Sequence, residues 1–257
     1  MVAVVIVAVG VWVLRPHGEA HESAASVATV PPSTSTSAAP QAAASTLAEV
    51  GSHDIDAAEQ VIIVTPAGDD ASQATLSAYE MTDGSWREAF GPWDAVVGAG
   101  GVAEADAKRE GDRKTPSGSY PFDFFFGIHR DPGVRFPYRQ VTGPQIVWDD
   151  DSSSANYNQW VDSSVDESVG VSPEPMDNSP VYDYGAVVAY NAERTPGLGS
   201  AIFLHVSAGS ATAGCVAVPE EHLLELLRWL DPARQPRIVI RAPSESTADV
   251  TTAALER

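Results

Sequence analysis

Cys215 is the sequence's one cysteine, and it directly follows Gly214. His205 stands ten residues earlier, at the end of the apolar run Ala201 to Leu204, and the small-residue loop SAGSATAG lies between. A thiol and an imidazole are the two working parts of nucleophilic acyl chemistry: the sulfur attacks a carbonyl carbon and the ring takes its proton. An unperturbed thiol, with a pKa of about 8.5, is only slightly ionised at neutral pH. A neighbouring imidazole and a nearby helix N-terminus both favour the thiolate, and a helical pattern begins at Pro219. Such a thiol is expected to alkylate at mildly acidic pH. Gly214 removes bulk beside the sulfur, so the backbone N–H groups of Gly214 and Cys215 are candidates for an oxyanion hole. Losing one such donor costs about 3 kcal/mol of transition-state stabilisation. Residue types alone leave a rival open. A lone cysteine after glycine is often a buried small hydrophobe, and a lone histidine at a strand end is often a packed or surface residue.

Positioning those two side chains requires a sheet. Apolar runs read as strands at Gln60–Thr65, Ala74–Met81, Ser85–Phe90, Trp93–Gly98, Ser119–Phe126, Gln145–Trp148, Gly185–Tyr190, Ala201–Val206 and Arg237–Arg241. Asp83-Gly84 between two of them is a hairpin signal. One long helical pattern stands out, Pro219 to Leu230. Pro219 suits the first turn, and Glu220 and Glu221 suit the positive end of the dipole. Leu223, Leu226, Leu227 and Leu230 recur at helical spacing. His222 reads as a helix-surface or packing residue. The fold class is therefore mostly β, with one main helix near the C-terminus.

The long polar segment Asp149–Pro180 has two readings. It is a lid whose Tyr157 and Trp160 line a substrate groove, or an ordered surface excursion whose Trp plugs the core. Its acidic cluster lacks a calcium-loop spacing, and a single cysteine excludes a Cys-x-x-Cys zinc cluster. No metal or cofactor is expected.

The 257 residues carry a formal charge of -20 and are 44% hydrophobic. That charge argues against nucleic acid as a partner. Residues 1–15 open with an uncharged apolar run that suits a secretory signal or signal anchor. Residues 16–58 are rich in Ala, Ser, Thr and Pro and read as a disordered tether. The folded domain then spans 59–243, with a loose tail over 244–257. The chain is expected to be exported to the cell wall or extracellular space and attached to, or released from, the envelope.

FLHV with TAGCVAV resembles the signature of the YkuD-type L,D-transpeptidases, and the earlier GDRKTPSGSY resembles that family's Thr-Pro-x-Gly turn. The resemblance covers essentially the whole folded region and implies a β-sandwich or barrel-like catalytic domain, in a divergent, exported branch. It implies Cys215 as nucleophile, His205 as base, and Gly214 and Cys215 as oxyanion hole. Val206 or Ser207 would offer a backbone carbonyl to orient His205, and Thr212 would contact substrate. Thr115, Pro116 and Gly118 match the turn. Three positions depart from the pattern: Thr212 for Ser, Ala213 for a second His, and Ala217 for Arg or Asn. The implied activity is cofactor-free acyl transfer on peptidoglycan stem peptides, forming 3→3 cross-links through a thioester. Hydrolysis as an L,D-carboxypeptidase and a non-catalytic wall-binding scaffold are the alternatives.

Overall fold

The computed structural model describes Ile55 and residues 57–245. The apolar segment expected over 1–15, nearly all of the linker over 16–58, and the tail beyond Glu245 lie outside the described residues.

The chain opens with β1 (Gln60–Pro66), β2 (Gln73–Thr82) and β3 (Ser85–Val96). Asp83 and Gly84, with φ of 53° and 74°, make the two-residue turn between β2 and β3. Both conformations match the twist of a tight hairpin. The runs expected as separate strands at Ser85–Phe90 and Trp93–Gly98 are one strand, joined across a register shift opposite Leu76 and Ala78. A bulge of this kind bends a strand without ending it. Next come the two-residue β4 (Val102–Ala103) and β5 (Thr115–Pro116), then the long β6 (Gly118–Gly127) and β7 (Tyr138–Gln140). β8 (Ile146–Asp149), β9 (Gln159–Asp162) and β10 (Glu174–Pro175) form a separate three-stranded sheet. β11 (Gly185–Val188), β12 (Phe203–Val206) and β13 (Val216–Val218) lead to helix α1 (Glu220–Trp229), and β14 (Arg237–Ile240) follows.

The main sheet has nine strands in the order β11-β12-β13-β3-β2-β1-β14-β6-β7, and β11 also pairs with β6. That last pairing closes the sheet on itself, as a barrel does. Period-two alternation sorts β1 between two cores. Ile62 and Val64 enter the interior cluster with Leu76, Leu204 and Val216, whereas Val61 and Ile63 join Tyr79 and Val239 outside. Burial on both faces explains why this run is apolar throughout rather than alternating. Leu223, Leu226, Leu227 and Leu230 of the helical segment are fully buried in the interior cluster. Burial of each is worth about 1.5–3 kcal/mol, so packing rather than propensity holds the helix. The expected class, mostly β with one main helix near the C-terminus, is the observed one.

Residues 149–180 are an ordered excursion over the second apolar cluster. The fully buried Asp149 carboxylate accepts from Asp151 N, Ser154 Oγ and Gly170 N at 2.6–3.1 Å. Asp151 accepts from Ser153 and from Val171 N, both at 2.9 Å. Trp160 packs edge-on against Phe124, with centroids 5.8 Å apart. Trp160 is half-buried: it packs against the second cluster and also lines a groove with Arg139 and Asn158.

Candidate functional site

In the parallel pair β12–β13, Leu204 lies opposite Val216 and His205 opposite Ala217. One pair back, Cys215 falls opposite Phe203, whose N–H donates to Cys215 Sγ at 3.3 Å. Alternation sends Leu204, Val206, Val216 and Val218 into the interior cluster. Phe203 and Cys215 belong to the other cluster, and His205 shares their face. Cys215 and His205 are thus diagonal neighbours on adjacent strands. Such positions are about 7–8 Å apart at the backbone, close enough for two inward-turned side chains to meet. Both line one cleft of about 360 Å³.

The cysteine is held both from within its own loop and from outside it. Its carbonyl accepts from Thr212 Oγ1 at 2.7 Å and from Thr115 Oγ1 at 3.2 Å. Thr115 is fully buried, and its hydroxyl also accepts from Gly98 N at 2.9 Å. The Thr-Pro turn expected as structure therefore clamps the residue expected as nucleophile. Gly214 has a φ of +153°, and a Cβ there would sit 3.0 Å from Lys114 O. Only glycine fits that backbone against that neighbour. The Gly214 N–H donates to Thr212 Oγ1 at 3.1 Å, so this expected oxyanion donor is committed inside the loop.

The imidazole is equally constrained. His205 Nδ1 lies 2.8 Å from Val206 O. A carbonyl can only accept, so Nδ1 carries the hydrogen and Nε2 keeps its lone pair. Of the two carbonyls considered for orienting the ring, Val206 makes this contact. Ser207 instead donates its N–H to Val218 O at 2.8 Å. Tyr182 packs edge-on against the ring, centroids 5.6 Å apart, and its hydroxyl donates to Glu174 Oε1 at 3.0 Å.

Burial dominates the protonation states. Desolvation pushes the Cys215 thiol up to about 12, and Glu174 adds to the rise. Desolvation pulls His205 down to about 4, against the contact with Val206. The resting pair is therefore a neutral thiol and a neutral imidazole. The thiol donates to Ala201 O at 3.2 Å. Burial opposes the thiolate that a neighbouring imidazole and helix N-terminus would favour, and β13 lies between Cys215 and the first turn of α1. Three residues of strand span about 10 Å, and a helix dipole acts only close to its end.

The cleft wall comes from two further places. Residues 104–114 form an arm across its side. Within it, Lys108 is 5% exposed and its Nζ reaches Asp112 Oδ1 at 2.7 Å. Burial works against the charge of Asp112, yet hydrogen bonds from Lys108, Lys114 N and Arg109 N hold its carboxyl below the usual range. Glu110 Oε2 accepts from Tyr157 OH at 2.5 Å and Ser200 Oγ at 2.8 Å. Tyr157 is 2% exposed and stands behind this wall, while the half-buried Trp160 packs against the second cluster. Neither is among the residues lining the cleft, whereas Thr212 is. Asp150 also lines the cleft, and burial raises it to about 6, with Glu110, Glu174 and Asp149 as like charges nearby. Lys108, Glu110, Asp150, Glu174 and Tyr182 carry no sequence signal as site residues, since each is a common type in a loop or polar segment. Thr115 did carry one, its place in the Thr-Pro-x-Gly turn.

His222 stacks flat on Trp93, centroids 4.1 Å apart, as a packing residue. Among the described residues, no three His, Cys, Asp or Glu side chains are grouped to hold a metal ion.

A family model for the YkuD L,D-transpeptidase catalytic domain matches residues 67–240. No curated protein matches the sequence. Among solved structures, Pgp2 from Campylobacter jejuni, described as a helical cell shape determining protein, aligns at 18% identity with a TM-score of 0.36. The alignment covers 81% of this chain and 62% of that one, so the chain spans less than two thirds of Pgp2.

Proposed function

Because the chain belongs to the L,D-transpeptidase catalytic-domain family, we propose that it is a peptidoglycan L,D-transpeptidase that works through a Cys215 thioester. The observation that carries this reading is the shared face of Cys215 and His205 in one cleft, with His205 Nδ1 tied to a carbonyl and Nε2 left as the base.

A stem tetrapeptide enters with the carbonyl of its third residue at the sulfur. Cys215 rotates away from Ala201 O, its proton passes to His205 Nε2, and sulfur bonds to the carbonyl carbon. With the thiol pushed to about 12 and the imidazole to about 4, proton transfer accompanies attack rather than preceding it. The Cys215 N–H is the oxyanion donor, joined by Gly214 N–H once the latter leaves Thr212. Collapse breaks the C–N bond, and His205 returns the proton to the departing D-amino acid. An amine from a second stem then attacks the thioester, gives its proton to His205, and leaves a 3→3 amide as the thiol reforms. Thr212 holds the cysteine carbonyl and contacts the incoming peptide. The domain acts outside the cell, at the wall, with residues 1–15 as its export signal or anchor.

The test is incubation with a stem tetrapeptide, followed by product mass. Cross-linked dimers with release of the terminal D-amino acid support transfer. Tripeptide alone means that water resolves the thioester, and the enzyme is a carboxypeptidase. Wild-type turnover by Cys215→Ala removes the nucleophile assignment.

A further inference from the structure

Behind the arm lies a second cavity, about 660 Å³ in volume against about 360 Å³ for the cleft. The arm is the partition. Lys108 lines both spaces, with Glu110 and Arg113 on the cleft side and Asp106 and Arg109 on the other. Two tyrosines supply much of the far lining. Tyr120 and Tyr190 meet edge to face, centroids 5.5 Å apart. Both hydroxyls are already committed, Tyr120 to Ser117 O and Tyr190 to Leu198 O at 2.6 Å. What they offer a ligand is therefore ring surface. Leu198, 38% exposed, extends that apolar surface at the rim.

Polar groups complete the lining. The Asp106 side chain is exposed, with no hydrogen-bond or ion-pair partner among the described residues. Ser117 is 8% exposed, and its Oγ is buried without a hydrogen-bond partner. Sealed from solvent, that oxygen meets no ligand, and Ser117 serves only as lining. Half-buried aromatic rings beside a free carboxylate suit a ligand with an apolar face and a rim of hydroxyl donors. A pyranose has that form, and a peptide carboxylate does not.

We propose that this cavity is a carbohydrate subsite that holds an N-acetylated amino sugar of the glycan strand carrying the stem peptide. The choice of that glycan rests on the stem-peptide reading of the adjacent cleft. Sugar C–H faces lie on Tyr190 and Tyr120, and a sugar hydroxyl donates to Asp106. Binding the sugar behind the arm aligns its attached peptide with Cys215 on the other side, which lowers KM for sugar-linked donors.

Calorimetric titration of the full chain with a peptide-free N-acetylated disaccharide tests the site without any turnover. A saturable heat is expected, weakened about tenfold in Asp106→Asn and in Tyr190→Leu. Asp106 has a φ of 60°, which asparagine tolerates, so this variant keeps the fold if Tyr190→Leu does not. Kinetics give a second readout. Wild type is expected to show a lower KM for a disaccharide-linked tetrapeptide than for the free tetrapeptide, and Asp106→Asn to bring that ratio towards one. No saturable heat, or the same heat in Asp106→Asn, overturns the subsite. Disaccharide binding with no turnover of any stem peptide instead upholds the subsite and refutes the transpeptidase reading.

Discussion

The loop that carries Cys215 and the excursion over 149–180 solve the same problem in opposite ways. Each must hold irregular backbone in place. The excursion braces itself: Asp149 and Asp151 accept from residues on both of its limbs, and Asn158 ties it to Tyr190 and Ala201. The cysteine loop is made of small residues and braces itself mainly through Thr212, which holds Gly214 N–H and Cys215 O. Its position is imposed by Thr115 from a distant turn, by the register of β12 with β13, and by the close approach of Lys114 to Gly214. A self-braced segment tolerates change at its edges, whereas an externally clamped one is sensitive to residues far away in sequence. The buried thiol is the result of that clamping, which seats the sulfur against Phe203 N and Ala201 O.

The largest expected effect is on thiol chemistry. Alkylation needs the thiolate, so a pKa raised to about 12 leaves less of it at every lower pH. Iodoacetamide should label the substrate-free protein at pH 7 about three to four powers of ten more slowly than an exposed thiol. The rate should climb steadily with pH up to the alkaline limit of the fold. Labelling at an exposed thiol's rate at pH 6 would mean the sulfur is not clamped as described.

Gly214→Ala comes next. A methyl at a φ of +153° beside Lys114 O must displace the loop. A displacement of about 1 Å at a reacting atom costs roughly a hundredfold in kcat, with modest loss of stability. Thr115→Val should cost about 1–3 kcal/mol in denaturant unfolding, because it leaves Gly98 N–H buried without its acceptor and Cys215 O with Thr212 alone. A neutral result would show that the turn does not hold the loop. The smallest effect is expected on the self-braced side. Tyr157→Phe removes one hydroxyl shared by Glu110 and Gly199 N. It should cost about 1 kcal/mol and change kcat/KM only a few-fold, since Ser200 still holds Glu110.

The pH profile separates the groups further. kcat/KM reports the free enzyme, and His205 is a base only when neutral. Its acid limb is therefore expected near pH 4 rather than at an ordinary imidazole's value. Asp150, raised to about 6, gains charge above that pH. Asp150→Asn should remove any inflection near pH 6 and leave the lower limb in place.

The strands were legible where they are long. β1, β2, β6 and α1 announce themselves through apolar runs and leucine spacing. β4, β5 and β10 have two residues each and β13 has three, too short for alternation to appear. Cys215 and His205 were legible as a pair because the family motif and the strand-end position of His205 coincide. Their protonation state was not, because it depends on burial by Tyr182, Phe203 and Ala201, which come from elsewhere in the chain or across the sheet. The wall residues Lys108 and Glu110 were hidden for the same reason. Tyr157 and Trp160 were visible as aromatics in a polar segment, but sequence cannot tell a side chain in a groove from one behind its wall.

Acylation of the sulfur is the step on which the rest depends. Intact-protein mass spectrometry after brief exposure to a stem tetrapeptide, with peptide mapping of any adduct, reads it directly. A tripeptide acyl group is expected on Cys215, lost on adding an amine acceptor and absent from Cys215→Ala. Steady turnover with no adduct on Cys215, or with the acyl group mapped to another residue, would contradict it.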